Sequence, residues 1–173
     1  CCRAVVPFMI KQAYGRIVLT KGDVLLPMKS YVGEPITLTV ENGFVTRIDG
    51  DQEAEMLREY IESFADPEAY AISHIGWGLQ QRAYWSTLGL YDREGTIGMD
   101  ARAVSGNFLF SLGPNNEAGG SRTTACHIDV PMRRCTVAVD GREVVRDGRV
   151  VEALMAPAPG PKQSTSPMEA SHA

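Results

Sequence analysis

A histidine and an aspartate stand two residues apart in Thr124-Ala125-Cys126-His127-Ile128-Asp129-Val130, a stretch that alternates apolar and polar residues. Such alternation predicts a strand, in which residues i and i+2 face the same way. His127 and Asp129 then stand side by side, with Cys126 and Ile128 turned to the opposite face. An imidazole nitrogen beside a carboxylate oxygen makes two thirds of a divalent metal site. The sequence holds three histidines. His172 falls in a stretch that reads as an unstructured tail, which leaves His74, in Ala71-Ile72-Ser73-His74-Ile75-Gly76-Trp77-Gly78, as the third ligand. Two histidines and one carboxylate on one face of an octahedron leave three positions open, the arrangement of non-haem Fe(II) enzymes that handle dioxygen. The same residues also suit plainer roles, His-x-Asp as a hydrogen-bonded couple and His74 as a satisfied, half-buried histidine. Spacing alone leaves both readings open.

The elements that must position these residues read as an α+β domain, mostly antiparallel and strand-rich, with one amphipathic helix. Strands are expected over Arg16–Thr20 and Val24–Met28, the second an edge or a bulge because Pro27 cannot donate to a ladder. Ile36–Val40 and Phe44–Ile48 alternate about Asn42-Gly43, which tolerates the positive φ angles of a tight hairpin turn. From Asp51 to Ala65 the period changes to that of a helix, with Ala54, Leu57, Ile61 and Phe64 on one face and acidic residues crowding the first turn. The acidic run reads as a solvated face, and Asp66-Pro67 ends the helix. The segment holding His74, Trp77, Tyr84 and Trp85 is broken by glycines and reads as loop-rich, the kind of region that walls a pocket. Gly106–Leu112 is another strand. A Gly- and Asn-rich loop, Gly113–Arg122, leads into the His-x-Asp strand. A meander follows, turning at Asp140-Gly141 and Asp147-Gly148.

Composition sets the bounds. At 173 residues and 44% hydrophobic content, one domain burying roughly 70% of its unfolded surface is expected. A net charge of −4 argues against a nucleic-acid partner. No apolar run approaches the ~20 residues of a membrane span. Four cysteines without a C-x-x-C pair point to a reducing cytoplasm, with Cys126 and Cys135 as small core residues. The expected organisation is a poorly patterned segment over 1–13, a metal-binding catalytic domain over 14–152, and a disordered tail over 153–173, rich in Ala, Pro, Ser and Gly. The opening Cys1-Cys2 suggests the C-terminal part of a longer protein.

Three stretches, AISHIGWGLQ, MDARAVSGNFLFSLGPNNEAGG and CHIDVP, resemble the C-terminal half of the 2,5-dihydroxypyridine 5,6-dioxygenase family, and the likeness runs from Gly15 to Val151. The resemblance implies iron ligands at His74, His127 and Asp129. It implies Fe(2+) as cofactor, and a small aromatic N-heterocycle and O2 as reactants. Both oxygen atoms enter the ring, which opens between C5 and C6 to N-formylmaleamate. It also implies an N-terminal α/β half that supplies acid-base residues, and a homo-oligomer in the full-length form. Trp77, Tyr84, Trp85, Asn115, Asn116 and Arg122 are candidates for substrate contact. A more distant likeness is to the thermophilic leucyl aminopeptidases, two-metal enzymes that need further acids, of which Glu68 is the nearest here. A third reading is a non-catalytic structural or oligomer-forming fragment.

Overall fold

The computed structural model describes residues 14–151, apart from residues 93 and 97. The segment expected to lack pattern, 1–13, and the expected tail, 153–173, lie outside the described residues.

Strand β1 (Tyr14–Leu19) is followed by a two-residue hairpin arm, β2 (Val24–Leu25), paired with β3 (Ser30–Tyr31). Strand β2 is shorter than expected. The chain turns at Leu26, and Pro27 sits in that turn rather than on a strand edge. Strands β4 (Ile36–Glu41) and β5 (Phe44–Asp49) form the expected hairpin, and β1 joins it to give an antiparallel sheet in the order β1-β4-β5. Its turn residues Asn42 and Gly43 have φ of 51° and 80°, the left-handed pair that a tight primed turn requires. Ile36, Leu38 and Val40 are buried, and the threonines between them are half-buried.

Helix α1 (Gln52–Glu62) buries Ala54, Leu57 and Ile61, the i, i+3 and i+7 positions of its apolar face. Each large residue so buried stabilises the fold by about 1.5–3 kcal/mol. The helix stops before the expected Ala65, because Ala65 itself takes a left-handed φ of 48°. Asp66 then accepts from the Glu68 backbone N–H at 3.0 Å. It thereby caps a 3-10 turn over Pro67–Tyr70, so Pro67 opens a new helical turn as well as closing the old one.

The segment read as loop-rich contains strand β6 (Ile72–Trp77) and two short helices, α2 (Thr87–Leu90) and α3 (Met99–Ala103). Helices of one turn carry no measurable period, and for that reason only one helix was expected. Strands β7 (Phe108–Leu112) and β8 (Ile128–Met132) complete an antiparallel sheet in the order β6-β7-β8. The strand expected from Thr124 begins at Ile128, leaving His127 just before it. The meander is β9 (Val137–Val139), β10 (Arg142–Arg146) and β11 (Arg149–Val150), with Asp140 and Asp147 at φ of 50° and 47° in its two Asp-Gly turns.

One core joins these parts. Leu38 and Val40 of β4 and Leu57 and Ile61 of α1 share it with Phe110, Leu112, Ile128 and Val130 of the second sheet. A smaller cluster, Val24, Leu26, Leu88 and Ala101, holds α2 and α3 against the β2 arm. The Leu26 N–H donates to the Asp129 carbonyl at 3.2 Å, tying that arm to β8.

Candidate metal centre

The site is built across the β6-β7-β8 sheet. Pairing runs Ile72↔Leu112 and Ile75↔Phe110, with a register shift between them. Ser73 and His74 therefore share one partner position, Ser111. A bulge of this kind re-aims a side chain, and here it turns His74 toward the sheet centre. Ser111 in turn lies directly across from Asp129 in the β7–β8 ladder. A row of polar side chains thus crosses three strands, His74, Ser111, Asp129, with His127 two residues before Asp129.

The three residues singled out from the sequence converge. His74 Nε2 is 3.7 Å and His127 Nε2 3.3 Å from Asp129 Oδ1. One ligand atom from each residue falls within 4.8 Å of the other two. Ligands at about 2.1 Å from a shared ion, at right angles, stand about 3 Å apart, so the set needs only a small contraction. The rings of His74 and His127 meet edge to face, 5.8 Å between centroids. Asp129 is 3% exposed, against 33% for the His74 side chain and 41% for that of His127. The carboxylate is the floor and the imidazoles are the open rim.

Hydrogen bonding gives the site its polarity. The Ser73 hydroxyl donates to the Pro114 carbonyl, so at 3.0 Å from His74 Nδ1 it can only accept. The proton of a neutral His74 then sits on Nδ1, and the Nε2 lone pair faces inward. Nε2 is 2.9 Å from Ser111 Oγ, whose own proton goes to Asp129 Oδ1. Lone pairs of a nitrogen and a hydroxyl oxygen therefore meet with no proton between them, beside a carboxylate. A cation relieves that arrangement, and a nitrogen-and-oxygen donor set without thiolate suits a borderline divalent metal. The residues present fit the group.

Arg102, on α3, was not singled out from the sequence. Its Nε is 2.7 Å from Asp129 Oδ2, yet this buried nitrogen makes no aligned hydrogen bond, so the contact is an ion pair. Ser111 was missed as well. A lone serine in Phe108-Leu109-Phe110-Ser111-Leu112 gives no signal apart from being a polar residue on an otherwise apolar strand.

A cleft of about 340 Å³ opens beside the imidazoles, lined by His74, His127, Ile75 and the Pro114–Ala118 loop. Asn115 and Asn116 line it, as expected, but Asn115 is also the spine of its own loop: its Oδ1 accepts from the Arg122 backbone at 2.8 Å. The remaining substrate candidates sit elsewhere. Arg122 pairs with Glu68 at 2.5 Å, donates to the Ile72 carbonyl at 3.2 Å and covers the Phe44 ring. Glu68, so paired, is not in the cluster of metal-ligating groups, which among the described residues holds His74, His127 and Asp129. Trp85 donates to the Gly22 carbonyl at 2.9 Å and packs under the Arg133 guanidinium, in a separate cleft with Tyr31. Trp77 and Tyr84 are surface residues outside the lining of the histidine cleft. Trp77 ends β6, opposite Phe108 and away from the Ser111 end of β7, and Tyr84 lies beyond the strand. Cys126, next to His127, is fully buried, and burial pushes its thiol up to about 11, consistent with a core residue rather than a ligand.

The chain is 56% identical over 139 residues to the 2,5-dihydroxypyridine 5,6-dioxygenase of Pseudomonas putida KT2440, a match covering 80% of this chain and 40% of that enzyme. The solved structure of the 2,5-dihydroxypyridine dioxygenase from P. putida KT2440 superposes with a TM-score of 0.78 at 56% identity, over 81% of this chain and 40% of that one. The chain thus spans about 40% of the length of the relatives it matches. Residues 5–152 match the family described as 2,5-dihydroxypyridine 5,6-dioxygenase, and the chain belongs to that family.

Proposed function

We propose that this chain holds a mononuclear Fe(II) on His74, His127 and Asp129 and serves the ring-cleaving dioxygenation of 2,5-dihydroxypyridine, the C5–C6 opening to N-formylmaleamate. The observation that carries the reading is the convergence of two imidazole nitrogens and one carboxylate oxygen from β6, β8 and the residue just before β8. Bound iron would supply O2 chemistry and Lewis-acid charge stabilisation. The protein's part is to hold and exclude. The Arg102 guanidinium lies against Asp129 Oδ2, and the Ser111 hydroxyl adds a neutral oxygen beside Oδ1. Ser73 fixes the ring of His74 through Nδ1, the partner that orients a ligating imidazole. The cleft beside the rim is near the lower end of small-molecule pockets, about 300 Å³ upward, and a single six-membered ring suits it. Asn115 and Asn116 are the residues we assign to substrate contact at its wall.

The portion of the family enzyme absent from this chain would close that cleft and supply acid-base groups, in a homo-oligomer. A reducing cytoplasm is the compartment this reading implies. Cys126 and Cys135 are buried. No helix among the described residues is long and apolar enough to cross a membrane.

The test is anaerobic reconstitution of the metal-free chain with Fe(II) or with Zn(II), followed by dihydroxypyridine-dependent O2 uptake. The chain is assayed alone and beside the upstream portion of the P. putida enzyme. Uptake is expected with iron only. Peptide hydrolysis with zinc and no uptake with iron would move the assignment to an aminopeptidase-like hydrolase.

A further inference from the structure

Asn107 stands just before β7 and is 3% exposed. Its side-chain amide meets three backbone groups. Nδ2 donates to the Ala101 carbonyl at 2.6 Å and to the Arg102 carbonyl at 2.9 Å, and Oδ1 accepts from the Gly78 N–H. The first two carbonyls belong to α3, the helix that carries Arg102. Gly78 directly follows β6, the strand that carries His74. One buried amide therefore latches the His74 strand and the Arg102 helix to the strand that carries Ser111.

The fit is close as well as polar. A Cβ at Gly78 would lie 2.1 Å from the Val104 carbonyl oxygen and 2.4 Å from that of Ala103, so strand and helix end touch backbone to backbone. Helix α3 has only five residues, too few to hold its place by its own hydrogen bonds. It buries one apolar residue, Ala101. The amide of Asn107 thus helps to set where Arg102 begins, together with the Gln80 N–H on the Ala103 carbonyl at 2.9 Å and the Thr87 hydroxyl on Asp100 Oδ2 at 2.8 Å.

We infer that Asn107 is a positioning residue that holds Arg102 against Oδ2 of Asp129, so that the carboxylate offers a metal Oδ1 alone. A free carboxylate can bind a metal through one oxygen or through both. With Oδ2 taken by the guanidinium, Asp129 fills one coordination position, and the position a second oxygen would occupy stays open for reactants. The inference rests on the metal reading above and adds to it which residue keeps the site open.

The experiment uses the whole chain, metal-free, titrated with Co(II), with the visible absorption bands and the affinity as readouts and thermal melting of the metal-free protein as control. The variants are Asn107→Asp, which keeps the shape and the acceptor but loses both donors, and Arg102→Met, which keeps the stem and loses the charge. The double variant completes a cycle. Asn107→Asp and Arg102→Met are expected to shift the Co(II) bands in the same sense and to weaken binding about ten- to hundredfold, the usual cost of losing a partner of a metal ligand. The double variant should bind no more weakly than Arg102→Met alone. Asn107→Ser, which keeps one donor, replaces Asn107→Asp if that protein does not fold, and the same non-additivity is required of it. Losses that add in the double variant, or a lowered melting temperature with unchanged Co(II) bands and affinity, would overturn the role of Asn107 and leave the metal reading standing. Wild-type protein that binds no Co(II), or binds it equally well as His127→Ala, overturns the metal reading and this inference with it.

Discussion

The two main sheets share one core but treat polar residues in opposite ways. In the half made of β1, β4, β5 and α1, the buried side chains are apolar: Leu38 and Val40 on the hairpin, Leu57 and Ile61 on the helix. In the β6-β7-β8 half, Ser111 and Asp129 are buried at 0% and 3%, and Asn107 at 3% stands just before β7. Burying a carboxylate costs several kcal/mol unless it is paired, and an apolar residue at position 129 would pack against β7 at no such cost. The first half follows the rules of stability. The second breaks them at three positions: Ser111 and Asp129 stand beside the imidazoles, and Asn107 clamps the helix that carries Arg102 to Asp129. Where a local rule is broken and the partners converge, the cost is being met for chemistry.

Removing a group from each half separates the two roles, and the largest effect is expected in the first. Leu57→Ala, at a side chain with 0% exposure, should lose about 2–5 kcal/mol of stability to the missing contacts and the cavity. The surviving folded protein should bind Co(II) with unchanged affinity. Asp129→Ala should do the reverse. Co(II) affinity should fall by more than about a hundredfold, since losing even an outer partner of a ligand costs about ten- to hundredfold, while the melting temperature of the metal-free chain should move far less. Calorimetric melting and metal titration on both variants check the pair. Equal losses of stability and affinity in both would mean that the halves do not divide the work.

Two glycines sharpen the contrast at smaller scale. Gly43 and Gly113 both have positive φ, 80° and 100°. Around Gly43 nothing lies within 4 Å of an added Cβ, whereas at Gly113 the Cβ would fall 1.9 Å from the Cys126 carbonyl oxygen, one residue from His127. Gly43→Ala should therefore cost only backbone strain, about 1 kcal/mol, and leave metal binding alone. Gly113→Ala must push the 126–127 backbone away and should weaken Co(II) binding along with stability. A Gly113→Ala protein with wild-type affinity would show that the segment bearing His127 has slack that this packing does not suggest.

The same division decided what could be read from the sequence. Asn42-Gly43, Asp140-Gly141 and Asp147-Gly148 announce hairpins because the turn demands residues that tolerate positive φ, and each turn forms at that place. The helix shows itself through Ala54, Leu57 and Ile61, which repeat at helical spacing. His127 and Asp129 were legible as a pair because the period of two is local. The bulge at Ser73-His74 was not, since it exists only relative to β7. Arg102 and Asn107 were invisible for the same reason: a five-residue helix has no period, and an amide that clamps three backbone groups looks like any asparagine in a loop. Trp85 shows the limit of residue type. An aromatic in a glycine-rich stretch suggests a pocket wall, and the ring does line a cleft, but one apart from the imidazoles, where Gly22 and Arg133 hold it, contacts that no local pattern reveals.

The smallest effect concerns a buried carboxylate outside the site, and it tests whether burial alone marks function. Asp23 is 1% exposed. It accepts from the Thr20 N–H at 2.7 Å, the Thr20 hydroxyl at 3.2 Å and the Arg133 N–H at 2.9 Å. It therefore ties the β1–β2 turn to the end of β8, and among the described residues its hydrogen-bond partners include no imidazole. Burial raises its pKa above the ordinary 3.8, outweighing the hydrogen bonds and the Arg133 charge that pull it down. The folded state then holds this proton more tightly than the unfolded chain does. Its contribution to stability is fully present below about pH 3.8, the ordinary value, and is lost as pH rises through the raised folded value. Asp23→Asn keeps an acceptor, loses the titration, and should be flat across that window. The stability of wild type minus that of Asp23→Asn should accordingly decline as pH rises from the ordinary carboxylate range, by chemical denaturation at closely spaced pH values, with Co(II) affinity untouched at neutral pH. A difference that grows with pH would mean that the three donors outweigh burial and that Asp23 is held as a paired anion. A change in Co(II) affinity would mean that the turn at Asp23 reaches the metal through β8, and that the two kinds of buried carboxylate are not separate.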